Sequence, residues 1–64
     1  MPVVTVQMWT GRTREQKRKL VRAITDAMVE HAGAKATNLH VILQEVRKED
    51  WALAGVLGDE RKDT

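Results

Sequence analysis

The chain has 64 residues, no cysteine and two histidines, and sets 11 Lys and Arg against 9 Asp and Glu for a formal net charge of +2. Disulfides and thiolate metal sites are excluded, no His and carboxylate cluster has metal-ligand spacing, and no apolar run reaches the roughly 18 residues of a membrane span. A domain this small buries only about 60% of its unfolded surface, so with no disulfide or metal to staple it, self-association is the expected way to complete the core.

The mildly basic balance attracts anions without implying nucleic acid. The opening residues, Met1 to Trp9, lack the charged start, long apolar stretch and cleavage site of a signal peptide, which points to the cytoplasm. With no internal repeat and no linker, residues 1–64 read as a single domain.

Val3 to Trp9 is rich in β-branched residues and alternates, with Val4, Val6 and Met8 on one face and Thr5 and Gln7 on the other. It is predicted to be a strand. Thr10, Gly11 and Arg12 form a turn. Thr13 and Gln16 have the spacing of a capping box, in which a hydroxyl and an amide satisfy each other's backbone N–H groups. Leu20, Val21, Ile24, Ala27, Met28 and Ala32 then recur at helical spacing as one apolar stripe, and Gly33 stands where a left-handed residue would end the helix. Leu39 to Val46 is a second apolar, β-branched run. Trp51 to Gly58 is too short and glycine-rich for a helix and reads as a loop with a short hairpin, while Asp59 to Thr64 reads as a fraying polar tail.

The order strand, long helix, strand predicts an α+β fold: one β-α-β unit with parallel strands and a short C-terminal hairpin. One helix covers one face of such a sheet. The other face is expected to be apolar and uncovered, which again predicts an oligomer.

Four residues are candidates for chemistry. Pro2 becomes a free secondary amine if Met1 is removed, and an amine that is neutral at working pH can take up a proton and return it. Met-Pro is also an ordinary start before a strand. Arg12, in the turn, can grip a carboxylate with two parallel hydrogen bonds, although an isolated arginine is usually a solvated one. His40, at the start of the second strand, can donate a hydrogen bond to a substrate oxygen or simply sit at a surface or interface. Trp51 offers an apolar wall for a flat substrate or a core residue. Arg14, Lys17, Arg18, Lys19 and Arg22 make the first half of the helix basic, against its own dipole.

Met1-Pro2-Val3-Val4-Thr5-Val6, Gly11-Arg12-Thr13, Glu15-Gln16-Lys17, Val41-Ile42-Leu43 with Glu45, Trp51 and Ala54-Gly55 together resemble the 4-oxalocrotonate tautomerase family over nearly the whole chain. No single motif is specific; their order, spacing and total length are. The resemblance implies a hexamer, a trimer of dimers, that needs no cofactor or metal and acts on small enol or keto carboxylates. It implies that Pro2 moves the proton and that Arg12 holds a substrate carboxylate from a neighbouring subunit. Trp51 would line the site, and Trp9 would end the first strand beside it, acting through its backbone N–H. Where the best-known members have a second arginine, this chain has His40, a weaker anion clamp. That difference puts a dicarboxylate such as 2-hydroxymuconate in question and makes an arylpyruvate enol a fair alternative.

Three rivals stand beside this reading. A ribbon-helix-helix DNA-binding module would need a second helix where Leu39 to Val46 reads as a strand. A dehalogenase or hydratase of the same superfamily would need a carboxylate to activate water, for which Glu45 and Asp50 are available. An assembly subunit without activity is the third.

Overall fold

The computed structural model describes residues 1–61. Strand β1 spans Val3–Trp9, helix α1 Arg14–Ala32, strand β2 His40–Val46, and strands β3 and β4 Ala52–Leu53 and Val56–Leu57. Short 3-10 turns occupy Ala36–Asn38, Lys48–Asp50 and Gly58–Glu60. β1 and β2 pair in parallel from Val3↔His40 to Trp9↔Val46. The ladder continues past both ends, where the His40 N–H donates to the Pro2 carbonyl at 3.1 Å and the Thr10 N–H to the Val46 carbonyl at 3.1 Å.

The helix ends follow local chemistry. Thr13 Oγ1 accepts from the Gln16 N–H at 3.1 Å, and Gln16 Oε1 accepts from the Thr13 N–H at 2.9 Å, which closes the capping box. At the other end Gly33 takes the left-handed φ of 68° that a side chain would resist. The buried stripe differs from the expected one. Leu20, Val21, Ile24 and Met28 are half-buried, but Ala27 and Ala32 are exposed, and Lys17 and Thr25 are half-buried instead. A two-stranded sheet is narrower than the stripe, and Ala27 and Ala32 fall past its edge.

Helix-facing side chains of the sheet are Val4, Val6 and Met8 opposite Val41, Leu43 and Glu45, all half-buried. The other face differs from the expectation in two ways. It is mixed rather than apolar: Val3 and Ile42 are each 50% exposed, beside Thr5 and His40, and Gln7 Nε2 donates to Gln44 Oε1 at 3.0 Å. It is also covered at one end. By strand alternation Trp9 points to this face, and the C-terminal segment packs against its indole. Residues 59 to 61 are therefore structured, with Arg61 Nη1 donating to the Leu53 carbonyl at 3.4 Å; the rest of the expected tail, residues 62–64, lies outside the described residues.

β3 and β4 form an antiparallel hairpin, Ala52↔Leu57 and Leu53↔Val56. Its central residues, Ala54 and Gly55, both have positive φ, 56° and 80°, the sense that matches strand twist in a two-residue turn. Among the described residues no hydrophobic side chain is fully buried and no helix is long and apolar enough to cross a membrane. A single chain thus has half a core: the helix and sheet shield each other on one side only.

Candidate active site

The five expected site residues fall into two clusters. Pro2 and His40 stand side by side at the start of the strand pair, with Pro2 half-buried and its carbonyl held by the His40 main chain. The imidazole of His40 is on the face away from α1, beside Val3.

Trp9, Arg12 and Trp51 form the second cluster at the far end. Gly11, at φ 124°, lets the chain turn sharply out of β1, and Arg12 folds back so that Nη1 donates to the Trp9 carbonyl at 3.3 Å. This fixes one edge of the guanidinium and leaves the others free for an anion. Arg12 has no ion-pair partner among the described residues, and neither has Arg14, whereas three other nearby cations do. Lys17 pairs with Glu45, Arg18 with Glu15 at 2.8 Å, and Arg47 with Glu49 at 3.1 Å and Asp50 at 3.2 Å. The Trp9 and Trp51 rings meet edge to face, 6.3 Å between centroids and 86° between planes, an arrangement that contributes about 0.5–1.5 kcal/mol beyond area burial.

Pro2 and Trp9 are seven residues apart on an extended strand, hence about 23 Å. One chain therefore does not bring Pro2 and Arg12 together. An open groove of about 260 Å³ lies away from these residues, lined by Arg14, Lys17, Arg18, Val21 and Leu43. Two of its three cations are already paired with carboxylates, Lys17 with Glu45 and Arg18 with Glu15.

Two contacts escape a reading of the sequence. The Lys48 ammonium lies 4.9 Å from the centre of the Trp9 ring, and Gly58 is packed against both. Neither has a local pattern to announce it, since the partner ring is far upstream. The two carboxylates considered for activating water are engaged by cations, Glu45 by Lys17 and Asp50 by Arg47.

Residues 2–61 match the model of the tautomerase enzymes. The 2-hydroxymuconate tautomerase of Bacillus subtilis (strain 168) is 49% identical over 55 residues, 86% of this chain and 89% of that protein. The crystal structure of YwhB, a homologue of 4-oxalocrotonate tautomerase, superposes with a TM-score of 0.91 at 43% identity, covering 95% of this chain and 100% of the other. A heterohexamer 4-oxalocrotonate tautomerase from Chloroflexus aurantiacus J-10-fl has a TM-score of 0.87 at 30% identity, over 94% of this chain and 97% of that one. The parallel β-α-β unit, the closing hairpin and these matches over nearly the full chain agree, and the chain belongs to the tautomerase family, with the enzymes of the 4-oxalocrotonate tautomerase type.

Proposed function

We propose that this chain catalyses keto–enol isomerisation of a small carboxylate-bearing enol acid, with Pro2 as the proton carrier in a site shared between subunits of a homohexamer. The observation that carries the reading is the division of the candidate residues into two half-sites, Pro2 with His40 and Arg12 with Trp9 and Trp51, about 23 Å apart on one strand. An unpaired Arg12 and an aromatic edge are of use to Pro2 only when a second chain presents them. A hexameric relative supports that arrangement.

The chemistry needs the amine of Pro2 free. Met1 is 85% exposed, which leaves its peptide bond open to an aminopeptidase. The neutral secondary amine takes the proton of the substrate's enol hydroxyl. The C–O bond becomes a carbonyl, the enol π electrons move to carbon, and that carbon takes the proton back from the Pro2 ammonium. Arg12 of a neighbouring chain holds the carboxylate, His40 donates to the oxygen of the reacting enol, and Trp51 covers the flat face of the substrate. With Glu45 and Asp50 both tied to cations in their own chain, water activation has less support than isomerisation.

The test is ketonisation of a panel of enol acids, 2-hydroxymuconate and arylpyruvate enols included, by protein whose amino terminus is defined by mass spectrometry. Protein that begins at Pro2 is expected to be active. A preparation that fully retains Met1 has no basic lone pair at Pro2, because its nitrogen is an amide; full activity in it would overturn the assignment.

A further inference from the structure

Gly58 is the one fully buried residue among those described. Its backbone is not in the left-handed region that accounts for Gly11, Gly33 and Gly55, so conformation does not require glycine there. Space does. A Cβ at this position would lie 2.9 Å from the Lys48 carbonyl oxygen, 3.1 Å from Trp9 Cζ2 and 3.3 Å from Lys48 Cβ. The first neighbour is main chain and cannot turn aside, and the second is the edge of a bulky ring that can yield only by leaving its place. The same glycine donates its N–H to the Trp51 carbonyl at 2.6 Å. Trp9 Nε1 is buried and has no hydrogen-bond partner among the described residues. Among the described residues no hydrogen bond anchors the indole, so its place is set by packing against Gly58 and the Trp51 ring and by the Lys48 ammonium over its face.

We propose that Gly58 is a positioning residue: the absence of its side chain seats the Trp9 indole, and its hydrogen bond to Trp51 fixes the aromatic wall that Trp51 presents to substrate. The consequence for substrate rests on the function proposed above; the placement of the two rings does not.

The chain has two tryptophans and no tyrosine or phenylalanine, so its near-ultraviolet circular dichroism reports these two rings alone. In Gly58→Ala that band is expected to lose most of its amplitude while the far-ultraviolet helix signal persists. KM for an arylpyruvate enol should rise about tenfold, the range for a disturbed apolar pocket contact, with kcat within about twofold. Trp9→Leu removes the ring contact at 3.1 Å but leaves the Lys48 carbonyl at 2.9 Å, so only the part of the effect that passes through the indole is lost with it. In the double variant KM should therefore fall to within about twofold of Trp9→Leu alone, a non-additivity that independent sites do not show. A native near-ultraviolet band in Gly58→Ala, or KM effects that simply multiply, would overturn the proposal. If Gly58→Ala does not fold, the double variant decides: a folded double supports it and an unfolded one refutes it. If the native protein ketonises no enol acid, the proposed function fails, and the near-ultraviolet comparison alone decides the placement of the rings.

Discussion

Arg12 keeps one guanidinium N–H on the Trp9 carbonyl and has no carboxylate in the described part of its own chain, which is the electrostatic condition of a residue waiting for an anion. Arg12→Ala is expected to raise KM for carboxylate substrates by roughly 10- to 150-fold, the cost of a lost charge-assisted contact; steady-state kinetics unchanged from the native protein would return Arg12 to the solvated surface. His40 offers a different handle, because the bond from its main chain to Pro2 survives any side-chain change. His40→Arg is expected to raise kcat/KM for 2-hydroxymuconate by about tenfold more than for a monocarboxylate enol, since a planar cation can hold two oxygens where imidazole holds one. An equal change for both substrates would mean that His40 does not set the charge preference. Residue types alone nominated both positions, but their neighbours were illegible in the sequence: the contact of Arg12 with Trp9 depends on the path of the chain through Gly11, and that of Pro2 with His40 on pairing across the whole helix.

Among the elements, those governed by neighbours in sequence were the readable ones. The capping box at Thr13 and Gln16, the left-handed Gly33 and both long strands depend on residues within one turn or one strand, and the sequence shows them. The hairpin was legible as a turn without strand limits, and the 3-10 turn at Gly58–Glu60 was not legible at all. It begins at Gly58, which packs against the indole of Trp9, a neighbour that no local pattern reveals. The hairpin also contains a correctable strain. Ala54 sits at φ 56°, where a residue with a Cβ loses about 1–2 kcal/mol relative to right-handed backbone and asparagine is better tolerated. Ala54→Asn should raise stability to denaturant by about 0.5–1 kcal/mol, as read from the urea midpoint at fixed protein concentration, and no increase would show that the turn is relaxed by other means.

At the scale of the molecule, no hydrophobic side chain is fully buried among the described residues, which is little core for a domain of this size. The assembly proposed above would supply the missing half of the core from other copies. Sequence composition pointed to this, although the sheet face is less apolar than its β-branched runs suggest, because Gln7 and Gln44 bond to each other across it. Val3 and Ile42 remain as its apolar centre, each half exposed. Sedimentation of the native protein is expected to give a stable oligomer of six chains. Ile42→Glu, which sets a charge where a partner would pack, should shift it to smaller species with loss of helical signal on dilution. A well-folded monomer at micromolar concentration in the native protein would remove the basis for a shared site.

Because the two proposed half-sites stand about 23 Å apart along one strand pair, a site shared between chains as proposed means that an allele damaging one of them is not beyond repair. A chain lacking the amine of Pro2 still presents a sound Arg12 to its neighbour, and a chain lacking Arg12 still offers a sound amine. Refolded together in equal amounts, two inactive variants, one altered at Pro2 and one at Arg12, should assemble mosaics in which about a quarter of the sites draw both intact partners, and recover activity in that proportion. Chains that each held a complete site would recover none. Inheritance of a defect in this protein would then be read from pairs of alleles: either defect beside a native allele would leave about half of the sites intact, and two defective alleles would complement only where they spoil opposite ends of the strand.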